Sequence, residues 1–415
     1  MSPTPHAPTP LPAGAAATDH GAAVTASFLG WTLDAFDYFL VVFCLTAIAR
    51  DFQKSDADIA LSITITLAFR PVGAFIFGLL ADRYGRRLPL MLVLIFYSAA
   101  QMATGLAPDY ATFMALRGLF GIGMGGMWGV GASLAMEKVP LRLRGLISGL
   151  LQQGYAAGNL LAAVAYLSLF ERWGWRPLFL LGGLPALLAL FVLFRVKESE
   201  VWRKSREESW SGLGRAIVLN WKLFAYIAVL ITAMSAASHG TQDMYPTFLQ
   251  RQWGFGPAQR SLVTGFSAIG AIIGGTLMGL LSDRFGRRRA MIVSLVLAIF
   301  LVPLWAYSPS VALLYAGAFL MQFMVQGAWG VIPAHLSELS PDAVRGFLPG
   351  FAYQCGSLLS SSVAWIEAVF AQRTSYATAM AFTAVTVFLF SCIMTAVGRE
   401  RRGRVFGMEN SDSIQ

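Results

Sequence analysis

His239 and Asp243 lie four residues apart in an otherwise apolar stretch, SAASHGTQDMYPT from Ser235 to Thr247. On a helix that spacing sets both side chains on one face. Imidazole and carboxyl are groups whose proton affinities are readily brought near neutrality, the first by its ordinary value and the second by loss of water. Gln242 adjoins Asp243 and stands one turn from His239. A second acidic pair, Asp34 and Asp37, is three residues apart in another apolar stretch, and Arg70 and Arg117 stand singly in two more. Arginine brings a permanent charge and a planar fork that fits a carboxylate through two hydrogen bonds. The chemistry on offer is therefore anion binding at Arg70 and proton exchange at His239 and Asp243, with Asp34, Asp37 and Arg117 as further proton-coupling candidates. Gln153, Tyr155, Gln354 and Ser357 add polar groups in two other apolar stretches. Gln153 and Gln354 could cradle a hydroxyl or carboxylate between them, or simply hydrogen-bond one helix to another.

The elements that position these groups follow from composition. Hydrophobic residues make up 56% of the chain and charged residues 13%, and the mean hydropathy is +0.61; soluble proteins carry about 25% charged residues. Apolar stretches of roughly 20 residues, enough to cross a bilayer, recur along the length. The chain is an all-α integral membrane protein, and in that setting an ionisable side chain at mid-membrane costs about 2.5 to 3.5 kcal/mol.

Twelve spans are expected: 24–49, 59–82, 88–107, 110–138, 142–170 and 175–196, then 223–250, 258–283, 289–307, 310–338, 343–371 and 376–398. The expected organisation is a disordered cytoplasmic tail (1–23), an N-terminal six-helix bundle (24–196), a charged cytoplasmic linker (197–222), a C-terminal six-helix bundle (223–398) and a cytoplasmic tail (399–415). Lys and Arg crowd one set of ends, including Arg83, Arg86, Arg87, Arg142, Arg144, Arg284, Arg287, Arg288 and Arg345, whereas the opposite ends hold a few such as Arg50, Arg176 and Arg251. By the positive-inside bias both termini face the cytoplasm. The net charge of +9 largely reflects this asymmetry, and its dispersal over short loops argues against nucleic-acid binding.

GLLADRYGRR (78–87) returns as GLLSDRFGRR (279–288), an offset of 279 − 78 = 201 residues. The same offset relates Trp128 to Trp329, Glu137 to Glu338, Arg144 to Arg345 and Gln153 to Gln354, so the halves are built alike. Asp82 and Asp283, each followed by arginines, can pair with basic loop residues or sit at the positive end of a neighbouring helix, contacts that form in one conformation and break in another. Asp82, Arg83, Arg86, Glu137 and Arg144, with Asp283, Arg284, Arg287, Glu338 and Arg345, are therefore gating candidates, and His335, one turn from Glu338, is expected beside them. The echo fails at the chemistry: Arg70 maps to Ala271, Tyr38 to His239 and Val42 to Asp243.

No phosphate-binding loop, nucleophile elbow or zinc-protease motif occurs, and GIGMGGMWGVG lies in an apolar helix without the preceding strand a dinucleotide site needs. Those glycines suit close helix packing instead. Cys44, Cys355 and Cys392 have no metal-like spacing. Neither an enzyme, a cofactor nor a metal is expected.

With these residues in view, the chain resembles the major facilitator superfamily. GLLADRYGRR is similar to its signature loop between spans 2 and 3, GLLSDRFGRR to the counterpart in the second half, and RGLFGIGMGG (Arg117 to Gly126) to its span 4 motif. The resemblance implies two pseudo-symmetric bundles that alternate access to a site between them. Ser235–Thr247 resembles the span 7 signature N-x-x-[S/T]-H-x-[S/T]-Q-D-x-x-x-T of fungal-type lactate and pyruvate permeases in the sialate:proton symporter family: Ser238, His239, Thr241, Gln242, Asp243 and Thr247 match, and Ser235 replaces the Asn. This implies proton coupling at His239 and Asp243, a substrate contact at Gln242, and by position in the helix further roles for Arg70 and Gln354.

The expected function is proton-coupled symport of a short monocarboxylate, lactate or pyruvate, by a monomer in the bacterial inner membrane. An aromatic-acid or sialate symporter is the alternative, because the paired acids of LDAFD (Leu33 to Asp37) also resemble proton-coupled aromatic-acid carriers. A non-transporting sensor on a transporter fold is the reading from another class; its customary long cytoplasmic extension has no counterpart in the short linker and tails.

Overall fold

The computed structural model describes residues 13–207 and 209–407, which form helices and connecting turns without a strand among them. Span 1 is Ala13–Asp51, span 2 Asp56–Tyr84, span 3 Arg87–Gly105 and span 4 Tyr110–Lys138. Span 5 is broken into Arg144–Gln152 and Gly154–Trp173, and span 6 into Trp175–Leu180 and Leu184–Arg195. In the second half, span 7 comprises Trp221–Gln242 and Tyr245–Arg251, span 8 is Pro257–Phe285, span 9 Arg287–Ala306 and span 10 Val311–Leu339; span 11 comprises Leu348–Leu359 and Val363–Ala371, and span 12 is Tyr376–Val397. Ten of these are long and apolar enough to cross a membrane. The other two are spans 5 and 11, each interrupted and carrying polar residues in its first piece.

One expectation needs correction. Residues 1–12 of the expected tail lie outside the described residues, but from Ala13 the chain is already helical, because the run AGAAATDHGAA is rich in the strongest helix former. The linker holds the helices Glu200–Ser205 and Trp210–Leu219, and the Trp202 indole donates to the Asp82 carbonyl at 2.7 Å.

At the end opposite the arginines, side chains hold the helix starts. Ser55 and Asp58 form a reciprocal capping box on span 2. Asp109 accepts from the Thr112 N–H at 2.8 Å on span 4, and that hydrogen bond keeps its carboxyl below the usual range. Within the N-terminal half, span 4 lies against span 2 so closely that a Cβ on Gly125 would strike the Arg70 carbonyl. GIGMGGMWGVG is therefore a packing surface that seats the backbone carrying Arg70.

Across the halves, span 5 meets spans 8 and 10, and span 11 meets spans 2 and 4. These contacts concentrate at the arginine-rich end. A Cβ on Gly129 would lie 2.8 Å from the Gly350 Cα, and one on Gly78 2.8 Å from the Phe347 Cα. Toward the other end His239 and Asp243 keep 44% and 41% of their side-chain surface open. The halves thus meet closely at the arginine-rich end, with a void of about 10 Å³ beside Trp31, Trp128 and Pro333, and His239 and Asp243 lie open toward the other.

Candidate functional site

The break in span 7 sets the site. Pro246 stands in the first turn of Tyr245–Arg251, a position where its missing N–H costs no hydrogen bond. The preceding helix ends at Gln242, with the Asp243 N–H donating to the His239 carbonyl at 3.0 Å. The side chains repeat that pairing: His239 Nδ1 and Asp243 Oδ2 are 3.0 Å apart. Behind them Gln242 Nε2 donates to Ser238 Oγ (3.0 Å) and Gln322 Oε1 (2.9 Å), Gln326 Nε2 to Ser238 Oγ (3.0 Å), and Gln322 Nε2 to Thr241 Oγ1 (3.1 Å). Gln322 and Gln326 belong to span 10 and were not singled out from the sequence. Two amides one turn apart in AFLMQFMVQGAW were the available signal. Ser235, where the resembled signature has Asn, has its hydroxyl 3.5 Å from that of Ser357.

Arg70 occupies the middle of span 2 and is 8% exposed. Its Nε has no partner, and its guanidinium forms no hydrogen bond among the described residues. A buried charge in that position calls for a counter-ion; Asp34 lies within Coulombic reach but forms no hydrogen bond to it. Tyr38 and Tyr155 each lie within Coulombic reach of both Arg70 and Asp243, so spans 1, 2, 5 and 7 bring these four side chains together between the halves. Aromatic rings gather near Arg70: Tyr155 packs at 5.1 Å from Phe39 and 5.7 Å from Trp31, and Tyr353 stacks on Trp128 at 4.0 Å.

The other acidic candidates lie deeper in the N-terminal half, with Asp34 within Coulombic reach of Arg70 as well as Arg117. Asp34 and Asp37 are fully buried, and none of their carboxylate oxygens has a hydrogen-bond partner. They lie inside the N-terminal half near Arg117, whose Nη1 donates to Gln101 Oε1 at 2.7 Å, while Gln101 Nε2 donates to the Asp37 carbonyl at 3.2 Å. The proton-coupling candidates thus divide into an open pair on span 7 and a sealed acid–arginine cluster on spans 1 and 4. The spacing of Asp34 and Asp37 gave their shared face but not the helices it would turn to. Gln153 and Gln354 do not face one another either. Gln153 packs on Gly275 of the opposite half and Gln354 Nε2 donates to the Gly125 carbonyl at 3.4 Å, so each amide crosses the seam to a different glycine.

At the arginine-rich end the repeated decapeptides do the same work twice. Asp82 accepts from the N–H groups of Gly346 (2.7 Å) and Phe347 (2.9 Å) at the start of span 11, and pairs with Arg86 at 2.5 Å. Asp283 accepts from Gly145 (2.9 Å) and Leu146 (3.3 Å) at the start of span 5, and pairs with Arg287 at 2.8 Å. A carboxylate at a helix N-terminus is favoured by unpaired N–H groups and the helix dipole, and here each acid caps a helix of the other half. Arg86 also binds Glu137 (3.0 Å), which Arg345 approaches at 3.6 Å; Arg287 binds Glu338 (2.9 Å), which Arg144 reaches at 3.2 Å. Arg83 and Arg284 stay out of this ring: Arg83 lies over Tyr84, and Arg284 contributes its carbonyl to Arg402. They follow the acid by one residue, whereas the Asp82–Arg86 and Asp283–Arg287 pairs use the i,i+4 spacing. His335 is buried with both ring nitrogens unbonded, outside the ring as well.

The tail continues the gate. The Phe406 ring lies between the Arg144 and Arg345 guanidiniums, 3.8 and 3.7 Å from them, and Arg404 donates to the Ser340 carbonyl at 2.8 Å. Burial, with Arg345 close by, holds the Arg404 guanidinium below its ordinary value. Glu198 in the linker accepts from the N–H groups of Arg86 and Arg87, and Glu400 in the tail from that of Arg288, so linker and tail cap equivalent helices.

Two helical bundles, a gate closed at one end and a polar cavity open at the other define a multi-pass secondary transporter of small molecules. The chain belongs to the Major Facilitator Superfamily, whose sequence profile matches residues 27–244 and 228–406. It is 28% identical to a "Carboxylic acid transporter protein homolog" of Saccharomyces cerevisiae, over 90% of this chain and 67% of that one. It is 31% identical to a "Probable 4-methylmuconolactone transporter" of Cupriavidus pinatubonensis (91% and 90% covered), and 25% identical to the "Sialic acid transporter NanX" of Escherichia coli (92% and 95%). Among solved structures it superposes on the proton:xylose symporter XylE with a TM-score of 0.73 at 19% identity, covering 94% of this chain and 98% of that one, a likeness of fold. Among the described residues no group of His, Cys, Asp and Glu could hold a metal ion.

Proposed function

We propose that the protein is a proton-coupled symporter of small organic acids, with a short monocarboxylate of the lactate or pyruvate type as leading substrate. The observation that carries this is the Arg70 guanidinium, free of protein hydrogen bonds, in a cavity that also holds the water-accessible His239–Asp243 pair. Arg70 takes the carboxylate, and the span 7 pair takes the proton. The second charge matters because moving an anion against an inside-negative potential costs about 2.3 kcal/mol per charge per 100 mV, and a co-transported proton removes that cost. Gln242, whose two amide hydrogens go to Ser238 and Gln322, keeps its carbonyl oxygen beside Asp243 to accept from a substrate hydroxyl such as that of lactate. The relatives' printed substrates are acids or a lactone, in keeping with an arginine in the cavity.

In this reading the arginine-rich end is cytoplasmic, the carrier is a monomer in the bacterial inner membrane, and the conformation is outward-open, ready to load. The halves are the two bundles joined by the docked linker. An aromatic-acid or sialate substrate is the second reading, favoured by the aromatic wall of Trp31, Phe39, Tyr155, Trp128 and Tyr353 and by the Asp34–Asp37 pair. The test is purified protein in liposomes under an inward proton gradient, with uptake of labelled lactate, benzoate and sialate compared. Accumulation of lactate above the other two supports the leading reading, accumulation of benzoate or sialate the second; failure to accumulate any acid ends both.

A further inference from the structure

Glu367 lies in the second helix of span 11, Val363–Ala371, within the run WIEAVF. It is 0% exposed, whereas its neighbours Trp365 and Ile366 are 69% and 53% exposed. The helix therefore turns its large apolar side chains outward and its one acid inward. Neither carboxylate oxygen has a hydrogen-bond partner. Spans 7 and 12 pack against this helix: a Cβ on Gly240 would meet Val363 at 3.6 Å and Thr383 of span 12 at 3.1 Å. From span 7, Asp243 lies within Coulombic reach of Glu367, and His239 is bound to Asp243. Span 12 presents no charged residue; Tyr376 and Cys392 are its ionisable groups.

A bare carboxylate shut away from water and from any cation is so unfavourable that the group keeps its proton instead. Asp243 differs in both respects, since it is open to the cavity and bonded to an imidazole. Two carboxyls of unlike surroundings in neighbouring helices are suited to hold one proton in two places, the buried one when they are apart and the hydrated one when they are brought together. The fold does not require the acid: the repeat-related position, 367 − 201 = 166, is Tyr166, which stacks with Phe170 at 4.5 Å and Phe43 at 5.8 Å.

We propose that Glu367 is a second proton-binding carboxyl of the carrier, loaded in the conformation seen here, which hands its proton to the Asp243–His239 pair when spans 7 and 11 close over the substrate. In the transfer the Glu367 O–H bond breaks and a bond forms to an Asp243 oxygen or the His239 ring, leaving Glu367 as the carboxylate until it is reprotonated. This rests on the proton-coupled reading, but its first test needs no substrate.

Infrared difference spectra of the full-length protein in lipid, wild type against Glu367→Gln, should show the carbonyl stretch of a protonated carboxyl in the wild type and its loss in the variant. Absence of that difference overturns the proposal. In liposomes, with whichever of lactate, benzoate or sialate the wild type carries, Glu367→Gln should keep counterflow at the wild-type level and lose gradient-driven accumulation, and Glu367→Asp should recover part of it. Wild-type accumulation by Glu367→Gln would overturn the coupling role even with the band present. Should Glu367→Gln fail to insert, Glu367→Asp must shift the band, and an unshifted band is equally fatal. If the wild type carries none of the acids, the symporter reading falls while the infrared result still decides whether Glu367 holds a proton.

Discussion

At the scale of residues, the roles proposed for Arg70 and Asp243 differ in chemistry, and their substitutions should fail differently. Arg70→Lys keeps the charge but loses the planar fork, and Arg70→Ala loses both. Removing one partner of a desolvated charge pair costs about 2 to 5 kcal/mol, so Arg70→Ala should abolish measurable acid binding by calorimetry, with Arg70→Lys between it and wild type; unchanged affinity in Arg70→Ala would remove the role. Asp243→Asn keeps the shape and its contact with His239 while deleting an acidic proton site. Counterflow should persist and uphill accumulation under a proton gradient should vanish, and retained uphill transport would exclude Asp243 from coupling. Arg70, His239, Asp243 and Gln242 were legible because polar groups in apolar runs are conspicuous. Glu367 was not, since four residues from a span end it passes for an interfacial acid. Gln322 and Gln326 escaped because an uncharged amide in a helix raises no alarm until its partners are known.

At the scale of elements, glycines separate packing from motion. Gly125 and Gly149 both lie against another backbone, but Gly125 touches Arg70 within one half, whereas Gly149 touches Gly275 and Thr276 across the seam. Overpacking a tight contact costs about 1 to 3 kcal/mol. Gly125→Val should therefore lower the thermal midpoint of the purified protein, while Gly149→Val should leave it nearly unchanged and part spans 5 and 8. Labelling of a cysteine placed beside Gly279 would detect the second effect, and equal melting losses in both variants would refute the distinction. The positions of the spans were readable from hydropathy. The breaks in spans 5 and 11 were not, because neither Gln153 nor Ser360 forbids a helix; Gln153 packs on Gly275 of the opposite half, whereas the Ser360 hydroxyl donates back to the Ser357 carbonyl. The break in span 7 had a local cause in Pro246, and it places the His239–Asp243 pair at a helix end.

At the scale of the molecule, the gate is symmetric and the cavity is not. Acid caps, ion pairs and even the docked linker and tail occur once per half, whereas Arg70 and the His239–Asp243 pair each occur in one half alone. The 201-residue echo showed the duplication in the sequence, yet it could not show that Phe406 is wedged between Arg144 and Arg345, since a tail aromatic has no repeat partner. Each cation–π stack is worth about 0.5 to 2 kcal/mol. Phe406→Ala should thus shift the balance between end states roughly tenfold toward opening at the arginine-rich end, read as increased distances between spin labels on spans 5 and 8 at that end; unchanged distances would make the tail a bystander. The gate charges also share a place along the molecule: Asp82, Glu137, Asp283 and Glu338 all stand within the last turn of their helices. Breaking those pairs carries almost no charge through the electric field of the membrane. Arg70, midway along a 29-residue helix, stands deep inside that field, and so does the pair at the break of span 7. A transmembrane voltage therefore acts on what the carrier holds and hardly at all on the gate, and with the proposed coupling any current it passes reports cargo and protons.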